Sequence, residues 1–177
     1  VFIDADVWLW YHGMRRGVVS VEFRKVTENR KAYLDLLLLA DEQEDMIDRY
    51  LARGEMYVLD DGGDTVAECV VTREDEGVYE LKNIAVRPDC QRKGYGRRLI
   101  DYVWAQYPDC RVLYVGTGDV PSSRAFYTGC GFTVSHRIEN FFTDHYDHPM
   151  YEDGVQLVDM LYLKRERCTG ETDSSDM

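Results

Sequence analysis

Val86-Arg87-Pro88-Asp89-Cys90-Gln91-Arg92-Lys93-Gly94-Tyr95-Gly96-Arg97-Arg98-Leu99-Ile100 is the stretch on which the reading of this chain turns. An apolar strand, Val78 to Val86, runs into it and ends before Pro88. A helix runs out of it over Gly94 to Tyr107, with Leu99, Ile100, Val103 and Trp104 on one face and Pro108 as its stop. Glycines between the two let backbone N–H groups approach a ligand closely, and the helix N-terminus adds partial positive charge. That combination suits phosphate oxygens. Charge agrees: Lys82 to Arg98 holds six basic residues and one acid, a window of +5 in a chain of net charge -12. The spacing excludes a Walker loop, because G-x-x-x-x-G-K-[ST] is absent, and a dinucleotide fingerprint, because the third glycine is missing and three strands come first.

Upstream, Val21 to Val26 alternates as a half-buried strand, and Ala32 to Ala40 is a leucine-rich helix. Asp41 to Glu44 has the pattern of a capping box for a second helix, which carries Met46, Ile47, Tyr50 and Leu51 and ends at Gly54. Met56 to Leu59 and Thr65 to Thr72 form a hairpin around Asp61-Gly62-Gly63. Downstream come a strand at Val112 to Val115, a short helix from Pro121 to Thr128 and a strand at Phe132 to Ser135. An aromatic, acidic loop over 139–154 and a last strand, Val155 to Leu163, follow. The order β-α-α-β-β-β-α-β-α-β-β is that of a single mixed α/β domain.

With 177 residues, 45% of them hydrophobic, the chain can bury a core without metal or disulfide staples. Its 33 acidic residues against 21 basic ones disfavour nucleic acid and anionic membranes and favour cationic small molecules or basic peptides. Five scattered cysteines with no C-x-x-C pair argue against a disulfide framework and a zinc site and fit the cytoplasm. Residues 1–19 lack the layout of a secretory signal, since Asp4 and Asp6 interrupt the apolar run and Arg15 and Arg16 follow it. They read as an N-terminal extension, or else as an added element docked through Trp8 and Trp10. The domain reads as 20–165 and residues 166–177 as a polar, disordered tail.

Gln91-x-x-Gly94-x-Gly96 resembles the pyrophosphate loop of the GNAT superfamily, the acyl-CoA-dependent N-acyltransferases. Asn83-Ile84-Ala85-Val86-x-Pro88 resembles the fourth strand of that superfamily, and Tyr127-x-x-x-Gly131-Phe132 its Y-x-x-x-G-F signature. The likeness spans about residues 20–164, and Asn140 to Tyr146 with Met150-Tyr151-Glu152 is similar to a branch of small bacterial acetyltransferases. The resemblance implies a mostly antiparallel central sheet with helices on both faces, acetyl-CoA as co-substrate, no metal, and direct transfer to a primary amine in a ternary complex. The alternative is a non-catalytic acyl-CoA-binding regulatory module on the same fold. Small members often pair as homodimers.

Carried onto this sequence, the resemblance assigns the cofactor to Gln91, Arg92, Lys93, Gly94, Tyr95, Gly96 and Arg97, with pantetheine along Ile84, Ala85 and Val86. One departure is Asp119-Val120-Pro121-Ser122, where many members carry an Asn. A primary amine with a pKa near ~10.4 is only about one part in 2,500 neutral at pH 7, equivalent to roughly 4.6 kcal/mol, so something must favour the neutral nucleophile. Glu80 is the expected base, with His136 and His145 as alternatives. The N–H of Ala85 or Val86 is the expected oxyanion donor, and Tyr127 the acid that protonates the leaving thiolate. Cys90 and Cys130 carry no mark of a nucleophile. In the 139–154 loop, aromatic rings and carboxylates suit an ammonium, with Asp144 or Glu152 as its binding residues.

Overall fold

A computed structural model of the chain describes residues 20–167. The readings of residues 1–19 and of 168–177 lie outside them. The chain begins with β1 (Val21–Val26), a 3-10 turn (Arg30–Tyr33) and two short helices, α1 (Leu34–Leu37) and α2 (Glu44–Leu51). Strands β2 (Glu55–Asp61), β3 (Asp64–Asp75) and β4 (Val78–Val86) follow, then α3 (Tyr95–Gln106), β5 (Val112–Gly118), α4 (Pro121–Gly129) and β6 (Thr133–Ile138). A one-turn helix α5 (Phe141–His145) and a two-residue hairpin, β7 (Tyr151–Glu152) and β8 (Val155–Gln156), precede β9 (Met160–Glu166). Seven strands form one sheet in the order β1-β2-β3-β4-β5-β9-β6, antiparallel everywhere except between β4 and β5. The expected mixed sheet with helices on both faces is what is observed.

Alternation along the strands explains the two layers. Tyr57, Leu59, Ala67, Cys69, Val71 and Leu81 point to one face and pack under Leu99, Ile100 and Val103 of α3. Met56, Val58 and Val70 point to the other and pack under Leu37 of α1 and Ile47, Tyr50 and Leu51 of α2. Each fully buried aliphatic side chain contributes about 1.5–3 kcal/mol, so both helical layers are held by their apolar faces. At the β2–β3 turn, Gly62 and Gly63 both take positive φ, 65° and 93°, as a two-residue hairpin turn demands.

Several boundaries differ from the sequence reading. The leucine-rich segment is a 3-10 turn and a single α-turn rather than one helix through Ala40. Asp41 does not cap α2: Gln43 is the cap residue, with no side-chain cap bond, because the Asp41 carboxylate is turned inward to accept hydroxyl groups. The 139–154 loop contains α5 and the β7–β8 hairpin. The last strand extends to Glu166, and the Arg167 guanidinium is tied to the carbonyls of Trp104, Tyr107 and Cys110, so order reaches further than the expected boundary at 165. Cys69, Cys90, Cys110 and Cys130 are buried free thiols. No helix among the described residues is long and apolar enough to cross a membrane.

The register carries the feature that positions the site. Val71 pairs with Leu81 and Val70 with Asn83, which leaves Lys82 as an extra residue in β4. Such a bulge reverses the facing of everything beyond it. Leu81 therefore lies on the α3 side, whereas Asn83 reaches Leu37 and Tyr50 on the α1–α2 side.

On that same side β3 carries Glu68, wholly buried, with neither carboxylate oxygen completing a hydrogen bond to a protein group. Burial pushes its pKa up from 4.5 to about 8, and the nearby Ala85 N–H opposes this only in part. The folded protein thus holds a proton that the unfolded chain releases, so this group's contribution to stability falls as pH rises from about 4.5 to about 8. Glu68→Gln should flatten that slope and raise the melting temperature at pH 8 more than at pH 5, which thermal melts across the range will show. An unchanged slope would mean that Glu68 is ionised in the native state.

Candidate active site

Strands β4 and β5 share four registered pairs, from Val78–Val112 to Leu81–Val115, and then separate. Beyond that point β4 stays with β3 as far as Val86, and β5 stays with β9 as far as Gly118. The Lys82 bulge sits at the fork. Two cavities occupy the opening, one of about 750 Å³ and one of about 280 Å³. They meet at a seam that includes Ile84, Thr117, Tyr127 and Glu152.

The larger cavity runs from the end of β4 to the start of α3. Ile84, Ala85 and Val86 form one wall, and Gln91, Arg92 and Gly94 to Arg97 form the floor. The loop is shaped by Arg92 and Gly94 in the left-handed region, at φ 64° and 83°. Gln91 Nε2 ties it to the Val86 carbonyl at 3.2 Å, and the Tyr95 hydroxyl ties it to Asp61. No side chain caps α3 and no acid lies in its first turn, so its first N–H groups are free for an anion. Gly96 is buried under the ring of Phe126: a Cβ there would lie 3.0 Å from Phe126 Cζ and 3.5 Å from Val86 Cγ2. Ser122 and Ser123, at the start of α4, complete the far wall. Asp119, in the segment where the family pattern has Asn, is ion-paired to Arg124 and Arg137.

The smaller cavity is lined by Asp41, Tyr50, Glu80, Asn83, Phe142 and Tyr146, with Arg49, Arg53 and Lys82 also on its wall. Glu80 Oε1 accepts from Lys82 Nζ at 2.8 Å and from the Tyr162 hydroxyl at 3.0 Å, while Oε2 makes no hydrogen bond among the described residues. Burial, and then the Glu80 carboxylate, push the Tyr162 phenol up. Glu152 accepts from the Ser123 hydroxyl across the seam. Tyr127 is packed edge-on against Phe126 and Phe132, its hydroxyl makes no hydrogen bond among the described residues, and burial followed by the Glu152 charge pushes its pKa well up. The phenol is therefore held in its protonated form.

Of the residues named from sequence, Ile84, Ala85, Val86, Gln91, Arg92, Gly94, Tyr95, Gly96 and Arg97 line the larger cavity, and Glu80 lines the smaller. Tyr127 and Glu152 line both. Lys93 is exposed and lines neither. Asp144 is also outside the site: one-turn α5 directs Phe142 inward and leaves Asp144 on the solvent side. The two alternative bases lie apart as well. His136 is exposed and stacks on Tyr162 at 4.7 Å, and His145 stacks on Phe141 at 4.5 Å.

Residues 52–134 match the family model described as an acetyltransferase (GNAT) domain. An uncharacterised N-acetyltransferase of Bacillus subtilis, YvbK, is 34% identical over 139 residues, covering 77% of this chain and 90% of that protein. The chain belongs to the GNAT acetyltransferase family. Among solved structures, this acetyltransferase superposes on a GNAT acetyltransferase from Elizabethkingia anophelis with acetyl-CoA bound, with TM-score 0.78 and 31% identity over 83% of this chain and 98% of that one. It is equally close to a Bacillus subtilis acetyltransferase in complex with CoA, with TM-score 0.76 and 32% identity over 84% and 99% of the two chains. The segment matched by the family model contains Glu80, the glycine loop and Tyr127, and stops before α5 and the β7–β8 hairpin.

Asp41, Tyr50, Asn83 and Tyr146 of this acetyltransferase were not singled out as site residues in the sequence. Asp41 carried the signal of a helix cap and Tyr50 that of a core position, and both signals are local. Tyr146 reaches Asp41 from 105 residues away, a separation that no periodicity encodes.

Proposed function

We propose that this acetyltransferase holds acetyl-CoA in the larger cavity and moves its acetyl group to a primary amine seated in the smaller one, without a covalent enzyme intermediate. The observation that carries the reading is Tyr127, a buried residue that lines both cavities and whose hydroxyl has no hydrogen-bond partner among the described residues. Relatives at 31–32% identity bind acetyl-CoA or CoA, which supports the assignment of the larger cavity. The uncapped α3 N-terminus and the Gln91–Arg97 loop would take the pyrophosphate, and pantetheine would follow the free edge of β4 beyond Leu81.

Successive N–H groups of an extended strand point to opposite edges. The Arg87 N–H donates to Val66 on β3, which turns the Val86 N–H toward the opening. Val86 is thus the favoured oxyanion donor of the two considered. The amine attacks the thioester carbonyl, the C–S bond breaks, and the thiolate takes the Tyr127 proton. The second proton lost by the nitrogen restores the phenol. Glu152, on the seam, would orient the acceptor. The acceptor itself is a compact amine rather than a long polycation: the cavity is small, and Arg49, Arg53 and Lys82 on its wall would repel additional positive charges.

Two variants separate the parts. Acetyl-CoA should raise the melting temperature of the wild type by mass action. Gly96→Val should abolish that rise, since its side chain must displace the Phe126 ring that borders the larger cavity, and the ligand-free variant should melt somewhat below the wild type for the same reason. Undiminished binding by this variant would move the cofactor elsewhere. Tyr127→Phe should keep acetyl-CoA affinity and lose roughly 10²-fold or more in kcat over a panel of amines, read by product mass. An unchanged kcat would make Tyr127 a packing residue.

A further inference from the structure

Three carboxylates line the smaller cavity, and two of them are already engaged by donors suited to hold them: Glu80 by Lys82, Glu152 by Ser123. The third, Asp41, is 8% exposed and has no ion pair among the described residues. Its carboxylate accepts the Tyr50 hydroxyl at 3.3 Å, the Tyr146 hydroxyl at 3.1 Å and the Gln43 backbone N–H, all neutral donors. Burial pushes its pKa up, held back by Tyr146, the Gln43 backbone and Tyr50. Beside it Asn83, 3% exposed, donates to the Leu37 carbonyl at 3.0 Å and to the Tyr50 hydroxyl at 2.8 Å. Its Oδ1 is buried with no hydrogen-bond partner among the described residues. A buried carboxylate without a cation and a buried amide oxygen without a donor are both costly, and both border the same cavity. A primary ammonium supplies what the two lack: one positive charge and three N–H donors in a small volume.

We propose that Asp41 is the residue that receives the acceptor, its carboxylate binding the ammonium of an alkyl primary amine and taking the proton that must leave before attack, with Asn83 Oδ1 as the second acceptor of its N–H groups. This rests on the reading of the smaller cavity as the acceptor site. The R–NH3⁺ group gives one proton to Asp41 and becomes R–NH2, whose lone pair forms the new C–N bond as the C–S bond breaks. The proton on Asp41 then passes to solvent with the departing amide. Glu80, whose Oε1 is already held by Lys82 and Tyr162, positions the acceptor instead of deprotonating it. The charged and titratable groups that share Asp41's surroundings are Asp45, Arg49 and Tyr50 of α2, Asn83's neighbours Glu80 and Lys82 on β4, and Tyr146 after α5. Glu68 on β3 acts at one remove, through Tyr50.

The test compares benzylamine, glycinamide and 1,4-diaminobutane, all protonated at pH 7, with aniline, which is neutral there. The wild type should acetylate at least one alkyl amine. Asp41→Asn, nearly isosteric, should keep the wild-type melting temperature and acetyl-CoA affinity. It should lose about 10²-fold in kcat/KM for that alkyl amine at pH 7, recover as pH approaches ~10.4, and leave any aniline rate little changed. Tyr146→Phe removes a donor to the charged form, so the acid limb of the kcat/KM profile should move to higher pH, a shift that a merely structural role would not produce. If Asp41→Asn keeps its alkyl-amine kcat/KM while Tyr127→Phe is impaired, Asp41 is not the acceptor residue and the two-cavity reading stands. If the wild type binds acetyl-CoA but acetylates only aniline, or none of the four amines, the ammonium site is wrong. If acetyl-CoA does not bind at all, the reading of both cavities falls with it.

Discussion

Two parallel strands that share four registered pairs and then part must leave backbone N–H and C=O groups facing each other across a gap too wide for hydrogen bonds. In this protein the gap between β4 and β5 is not closed by another strand. Each edge keeps its outer partner, β3 on one side and β9 on the other, so the fork is rigid although its inner edges are unpaired. Such a fork is a standing demand for a ligand that carries its own donors and acceptors, and both cavities sit in it. The Lys82 bulge adds a second consequence. By reversing the facing of β4 it sends Asn83 to the α1–α2 side while Ile84 and Val86 stay packed on the α3 side. One strand, β4, therefore serves both cavities.

Charge is distributed to match. A chain of net charge -12 concentrates basic residues around one helix N-terminus, and its smaller cavity is lined by three cationic side chains and three carboxylates. Most of these are paired, which limits their cost in a partly dry site. The exceptions carry information, because an unpaired buried polar group persists only where something outside the chain completes it or where the fold tolerates the strain. Asp41 and Asn83 border a cavity and fit the first description. Glu68, closed off in the core, fits the second and holds its proton instead.

The glycine loop could be read from residues alone because everything that shapes it is local. A strand end, two glycines and a helix start lie within Val86 to Ile100, and backbone conformation at Gly94 is set by the residue itself. The same holds for Tyr127, fixed by a short motif, and for the order of strands and helices, fixed by periodicity. Reading by locality also misplaced some things. Asp144 looked like a binding residue because it is an acid among aromatics, yet a single helical turn decides which of Phe142 and Asp144 faces inward, and burial of the phenyl ring decides that turn.

The smaller cavity was beyond such a reading for a physical reason. Its wall is assembled from the α1–α2 connection, β4, β5, the segment after α5 and β9, elements spread over more than a hundred positions. Asp41 follows the helix whose Leu37 packs in one apolar cluster, Tyr146 packs against another formed by Val120, Phe142, Met150 and Leu157, and the two meet only once both clusters are assembled. Side-chain identity and spacing therefore gave the fold class, the glycine loop and the tyrosine at the seam. Which carboxylate stands unpaired in the smaller cavity was settled by a one-residue bulge and by long-range packing, since both depend on which surfaces can be buried together, a property of the assembled chain and not of any segment within it.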